Sequence, residues 1–150
     1  DRIQGTYSQD VAAAVGDLII RRRDQLLAYL LAVVVDDAAK GITHVVRGAD
    51  LLDNTPRQIY LQRVLGLPSP AYAHVPLLTE PDDVKLAKSR RSVPLHPPEA
   101  LPQLLAVFAL LGLEPPASLA ATTIAEAWHW AIGAWDIKRV PKALHMHVTN

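Results

Sequence analysis

The chain has 150 residues, half of them apolar and 20% charged, with no cysteine. That composition excludes a disordered, collagen-like or disulfide-stapled protein and fits one domain whose core needs no metal or cross-link. Fifteen Lys and Arg balance fifteen Asp and Glu, so no global basic footprint points to nucleic acid and any such contact has to be local. The opening DRIQGTYSQD has neither a signal-peptide core nor an Arg-rich transit pattern. The runs Leu26 to Val35 and Leu101 to Leu113 fall short of the ~18 residues of a membrane span. The expected location is therefore the cytoplasm. A chain that starts at Asp1 and has its single methionine at Met146 reads like a piece of a longer protein.

The elements alternate along the first half. Leu18 to Arg22 is a short β-prone run. The apolar stretch Leu26 to Ala39, closed by Gly41, predicts a helix by its length and terminal glycine, although Val33, Val34 and Val35 favour a strand. Ile42 to Arg47 predicts a strand that stops at Gly48, ahead of a site-like loop. Asn54-Thr55-Pro56 offers a cap with proline at the first helical position. Tyr60/Val64 and Leu61/Leu65 pair at helical spacing, and Gly66 and Pro68 end that helix. Ala73-His74-Val75 predicts a third strand within residues 71–79. Strand, helix, strand, helix, strand is the rhythm of a parallel α/β sheet.

Beyond the polar stretch Glu80 to Pro98 the pattern turns helical. This places a boundary near residues 92–98, between a part spanning 1–92 and a helical part spanning 93–150. Pro98 opens a helix that ends at Gly112. Thr123 with Glu126 predicts a capping box, and Ile124, Ala127, Trp128, Ala131, Ile132 and Trp135 recur as one buried helical face, leaving Trp130 outside the core.

Few residues point to chemistry on their own. Lys85-Leu86-Ala87-Lys88-Ser89-Arg90-Arg91 places four cations in a short loop that could meet a polyphosphate, though such a loop is by default a solvated surface. Arg47, at a strand's carboxyl end next to Gly48, suits forked recognition of a carboxylate; its ordinary role is an ion-paired surface arginine. Tyr29 reads first as a core tyrosine. Of His44, His74, His96, His129, His145 and His147 only the last two are close in sequence, so no metal site is expected. GxxxxGK[ST], GxGxxG and GxSxG are all absent.

Several blocks nevertheless agree with one family in order and spacing. AYLLAVVVDDAAKGITHVVRGADLLDNTPRQIYLQRVLGLPSPAYAHVPLL, residues 28–78, resembles the catalytic core of glutamate-specific class I aminoacyl-tRNA synthetases, and KLAKS at 85–89 resembles that class's KMSKS signature. The tail WAIGAWDIKRVP is closer to the family's short branch, which modifies queuosine in tRNA(Asp), than to enzymes that charge tRNA(Glu). The resemblance implies an α/β fold: the second half of a Rossmann-type class I synthetase catalytic domain followed by a small helical extension. It implies ATP, with Mg2+, activating L-glutamate for transfer to the queuosine base of tRNA(Asp) by a monomeric enzyme.

By the same resemblance Tyr29 and Arg47 contact the glutamate substrate. Lys88, helped by Lys85, stabilises ATP as pyrophosphate leaves. Leu30 stands where the family commonly has a polar residue, and Ala87 where the signature has serine. The HIGH-type motif, the first glutamate contacts and the zinc-binding insertion of the family's N-terminal half have no counterpart in these residues. A fragment of a tRNA(Glu)-charging enzyme and a catalytically inactive α/β module are the alternatives.

Overall fold

In the computed structural model, residues 1–79 and 97–147 are described. The chain divides into two compact units, Asp1–His74 and Val75–Asn150. The boundary expected at residues 92–93 lies outside the described residues.

In the N-terminal unit, a one-turn helix α1 (Val11–Ala14) is capped by the Asp10 carboxylate, which accepts from Ala13 N–H at 3.1 Å. The β-prone run Leu18 to Arg22 does not become a strand. Only Arg21 pairs, in an isolated antiparallel bridge with Leu27, while Ile19 and Ile20 stay exposed. β-branched propensity without a buried face is too weak to hold a ladder.

Helix α2 (Tyr29–Ala39) starts three residues later than Leu26, because Leu26 and Leu27 form the far arm of that bridge and Ala28 is extended. The valines of α2 are helical, with Val34 buried. At its end Ile42 N–H bonds to the Asp37 carbonyl and Gly41 N–H to that of Ala38, the paired bonds of a glycine C-cap. Gly66 and Gly112 close later helices in the same way. The three glycines therefore stop helices where the sequence placed the stops.

Strand β1 (His44–Gly48) runs into a 3-10 stretch, Ala49–Asn54, and then into α3 (Thr55–Val64). Pro56 is the second residue of α3, one place after the expected first helical position, because Thr55 is already helical. Asn54 does not cap: it is already helical at the end of the 3-10 stretch, and its Oδ1 instead accepts from Arg57 Nη1 at 3.4 Å. Strand β2 (Ala71–Val75) pairs with β1. The two begin together, Ala71 N–H donating to the Thr43 carbonyl at 2.9 Å, and their fourth residues, Arg47 and His74, meet at 3.0 Å. They therefore run in the same direction, with α3 as the crossover.

Within the C-terminal unit, β3 (Leu77–Thr79) pairs in parallel with β4 (His145–His147), Leu78 opposite Met146. The two histidines of the tail are thus strand residues. A 3-10 turn, Pro97–Glu99, leads into α4 (Ala100–Leu110), two residues after Pro98. Helix α5 (Ile124–Ala134) carries the expected capping box: Glu126 N–H donates to Thr123 Oγ1, and Thr123 N–H to the Glu126 carboxylate.

Phe108, Leu113, Ala127 and Ala131 form the core of this unit, flanked by Leu101, Leu104, Leu105, Trp130 and Ala134. The expected apolar face of α5 is only partly buried. Ala127 and Ala131 are enclosed, whereas Trp128 is 51% and Ile132 74% exposed, and Trp130 packs on the core instead. The buried stripe is centred on the small residues, where α4 approaches, and is narrower than the run of apolar residues.

Candidate functional site

Arg47 emerges from the carboxyl end of β1, where the chain turns away into the 3-10 stretch, and its guanidinium is half-buried rather than free. Nε–H donates to His74 Nε2 at 3.0 Å. Nη2 donates to Gln58 Oε1 at 2.7 Å and Thr55 Oγ1 at 2.9 Å, with the Leu51 carbonyl at 3.4 Å. The cation also lies 5.4 Å from the centre of the Tyr72 ring. Among the described residues nothing accepts a hydrogen bond from Nη1. The side-on fork of Nε and Nη2 is thus closed by the protein, and Nη1 is the donor left for a ligand.

The partners of Arg47 come from a polar stripe on an otherwise ordinary helix. Thr55, Gln58 and Gln62 all lie on the buried face of α3 together with Leu61. Thr55 and Gln58 hold Arg47, and Gln62 Nε2 donates to the Tyr72 hydroxyl at 2.9 Å. Burial of Tyr72 pushes its hydroxyl above the usual tyrosine range.

His74, on β2, is completely buried. Its Nδ1 lies 2.6 Å from Asp1 Oδ2, a contact that could be read as an ion pair. Arg47 can only donate, however, so Nε2 must be the bare, accepting nitrogen and the ring the neutral Nδ1–H tautomer. Burial, reinforced by the Arg47 cation, pushes the imidazole down to about 4, in agreement with that assignment. Arg47 itself is lowered by burial and supported by Tyr72, Tyr29, Asp37 and Asp50, which all bear on its charge.

Tyr29 is the first residue of α2 and 67% exposed, which overturns its reading as a core tyrosine. Its phenol bears on the Arg47 charge only through space, with no hydrogen bond between the two. Lys85 and Lys88, with the KLAKS stretch, lie outside the described residues. Among the described residues no group of three or more His, Cys, Asp or Glu could hold a metal ion. No described helix is long and apolar enough to cross a membrane.

A groove of about 660 Å³ adjoins this network in the N-terminal unit, between residues 7–12 and α3, with Asp1, Thr55, Tyr60, Arg63 and Tyr72 on its wall. Neither Arg47 nor Tyr29 lines it. Two of its polar groups are already engaged, Tyr7 O–H with Asp53 and Asp10 with the α1 amide of Ala13. The Arg47 network, with a desolvated cation and one unengaged donor, is the stronger candidate.

Sequence reasoning singled out Arg47 and Tyr29 but missed Thr55, Gln58, Tyr72 and His74. One signal was available. Thr55, Gln58 and Gln62 recur at helical spacing on the face that should have been apolar, which demands a buried polar partner.

Comparison with known proteins agrees with this architecture. Residues 1–113 match the family model for the catalytic domain of class I tRNA synthetases for E and Q. The chain is 54% identical over 144 residues to a glutamyl-Q tRNA(Asp) synthetase of Pseudomonas fluorescens, covering 96% of this chain and 48% of that protein. It is 53% identical over 142 residues to the same-named protein of Pseudomonas aeruginosa, covering 95% and 48%. The chain therefore spans about half the length of the curated relatives it matches.

Two crystal structures share the fold at 24% identity, each covering 99% of this chain and 33% of the other. They are a glutamate-tRNA synthetase from Elizabethkingia anophelis, TM-score 0.71, and a glutamate tRNA ligase from Elizabethkingia meningosepticum, TM-score 0.72. With its parallel β1–β2 pair, its crossover helix and a family match over residues 1–113, the chain belongs to the class I tRNA synthetases for glutamate and glutamine.

Proposed function

We propose that these residues form part of an ATP-dependent ligase that activates L-glutamate and transfers it to the queuosine base in the anticodon of tRNA(Asp). In the activation step a glutamate carboxylate oxygen attacks the α-phosphorus of ATP; the mixed anhydride glutamyl-adenylate forms and pyrophosphate leaves. In the transfer step a queuosine hydroxyl attacks the activated carbonyl, an ester forms, and AMP departs. The observation that carries the reading is Arg47, fixed on three sides, with no acceptor for Nη1 among the described residues, in a chain 54% identical to a protein named glutamyl-Q tRNA(Asp) synthetase.

Nη1 of Arg47 and the hydroxyl of Tyr29 are suited to hold the polar groups of the amino acid. Lys88 and Lys85 supply the positive charge that the triphosphate needs as pyrophosphate leaves, a role that Mg2+ shares when bound. Leu30 and Ala87 each remove one side-chain polar contact without removing either lysine. The enzyme acts as a monomer in the cytoplasm, where its tRNA is found.

Glutamate-dependent ATP–pyrophosphate exchange, followed by transfer of labelled glutamate to tRNA(Asp) with and without queuosine, tests the reading in the full reading frame that carries these residues. Transfer to queuosine-containing tRNA(Asp) alone is expected. Charging of the terminal adenosine of tRNA(Glu), or no exchange at all, overturns it.

A further inference from the structure

The chemistry proposed for Arg47 leaves His74 without a part, yet the imidazole is among the most completely enclosed side chains of the molecule. Burying an imidazole is unfavourable unless both ring nitrogens find partners. Those of His74 do, and the ring is held at its backbone as well. The Asp1 carboxylate accepts from Nδ1–H at 2.6 Å and from the His74 main-chain N–H at 3.2 Å, and the Gln4 amide donates to the His74 carbonyl at 2.9 Å. With the ring so clamped, the Nε2 lone pair is aimed at Arg47 Nε, with the Thr55 hydroxyl 3.2 Å away.

We propose that His74 is a positioning residue for amino-acid recognition: its bare Nε2 fixes the Arg47 guanidinium so that Nη1 is presented to the carboxylate of the incoming glutamate. This rests on the substrate contact proposed for Arg47. The physical reason lies in the geometry of the fork. Gln58 and Thr55 both take Nη2 and restrain only one end of the guanidinium; the bond at Nε stops it from pivoting about that end.

The charged groups facing the ring are Arg47, which opposes its protonation, and the carboxylates of Asp1 and Asp50, which favour it. A proton on Nε2 would remove the acceptor and set two cations against each other, releasing Arg47.

Two near-isosteric variants separate the role from simple support of the fold. His74→Gln places an amide oxygen near the Nε2 position and keeps an acceptor for Arg47. His74→Asn places its amide near Nδ1 and keeps only the Asp1 side. In the full reading frame, His74→Gln is expected to keep the KM for glutamate in the exchange reaction within about 3-fold of the parent. His74→Asn is expected to raise it about 10-fold or more while leaving the KM for ATP within about 3-fold. An unchanged glutamate KM in His74→Asn, or equal increases in both variants, overturns the role.

The ring ¹⁵N spectrum of the parent supplies a readout independent of catalysis. A bare Nε2 coupled across the hydrogen bond to Arg47 Nε is expected near neutral pH. A protonated Nε2 in an active parent overturns the positioning role alone, whereas a parent with no glutamate-dependent exchange overturns the functional reading and the glutamate part of this proposal with it.

Discussion

The main-chain carbonyl of Arg139 occupies the space that a side chain at Gly112 would need: a Cβ built on Gly112 falls 2.1 Å from that oxygen and 2.8 Å from the carbonyl carbon. Gly112 also has φ of +81°, in the left-handed region that closes α4. Gly66 is the natural control, with φ of +66° and nothing within 4 Å of its Cβ position. Gly66→Ala should cost only the conformational penalty, about 1 kcal/mol. Gly112→Ala adds a clash with backbone that cannot rotate away and should cost about 3 kcal/mol or more, or prevent folding of the C-terminal unit. Urea unfolding of the two variants against the parent measures the difference.

The C-terminal core makes a second contrast between residues that look alike in sequence. Phe108 is buried and meets Trp128 edge-on, ring centroids 5.2 Å apart at 76°. Phe108→Ala should cost about 3–5 kcal/mol, the usual range for emptying an aromatic site. Ile132→Ser, on the exposed side of α5, should stay within about 0.5 kcal/mol. Equal losses in thermal unfolding would show that Ile132 is covered in solution.

At the start of α5, Thr123 and Glu126 satisfy each other's amides. The backbone N–H and the hydroxyl of Thr123, each 2.8 Å from the Glu126 carboxylate, hold Glu126 below the usual carboxylate range. A lowered carboxyl contributes stability above its ordinary value and loses it as pH falls through the lowered one. Loss of the N-cap hydroxyl in Thr123→Ala should destabilise the unit by about 1 kcal/mol near pH 7, and the gap to the parent should narrow in acid. Tm measured for both chains down to about pH 3 checks the narrowing.

How far these features could be read from sequence follows from the range of the forces involved. Helix ends were legible because Gly41, Gly66, Gly112 and the Thr123/Glu126 pair act within a few residues of themselves. Strand assignments were less secure. Leu18 to Arg22 has the right side chains but no buried face to rest on, and β4 is short and defined only by its pairing with β3. The buried face of α5 is narrower than its sequence pattern because the apolar residues spread wider than the surface that α4 covers. At the site, Arg47 was marked by its place after a strand, whereas His74 lies 27 residues away and looks like any other core histidine until β2 is laid beside β1.

Acid should report on His74 through stability as well as through binding. The ring is held down at about 4, below the ordinary histidine value, so the unfolded chain takes up a proton between those two values that the folded chain refuses. Stability is then independent of this group above about pH 6.5 and falls as pH drops toward 4, with uptake of about one proton on unfolding from this side chain alone. Replacing the ring by glutamine in His74→Gln should flatten this part of the pH profile. A profile unchanged in that variant would assign the acid sensitivity to other groups.

Arg47→Lys tests the network from the other side. A lysine ammonium has three donors at one point, and Arg47 uses two separate nitrogens to satisfy His74, Thr55 and Gln58 while a third makes no hydrogen bond among the described residues. Lysine can reach some of these acceptors but cannot serve them and present a donor outward in the same geometry. The variant should lose about 1–3 kcal/mol of stability from polar groups left unpaired in a buried setting. It should also raise the glutamate KM about 10-fold or more in the full reading frame. The two losses are separable by temperature: working well below the variant's Tm removes the unfolded fraction but not the recognition defect. A glutamate KM that returns to the parent's value under those conditions would make Arg47 a structural residue and move the substrate contact elsewhere.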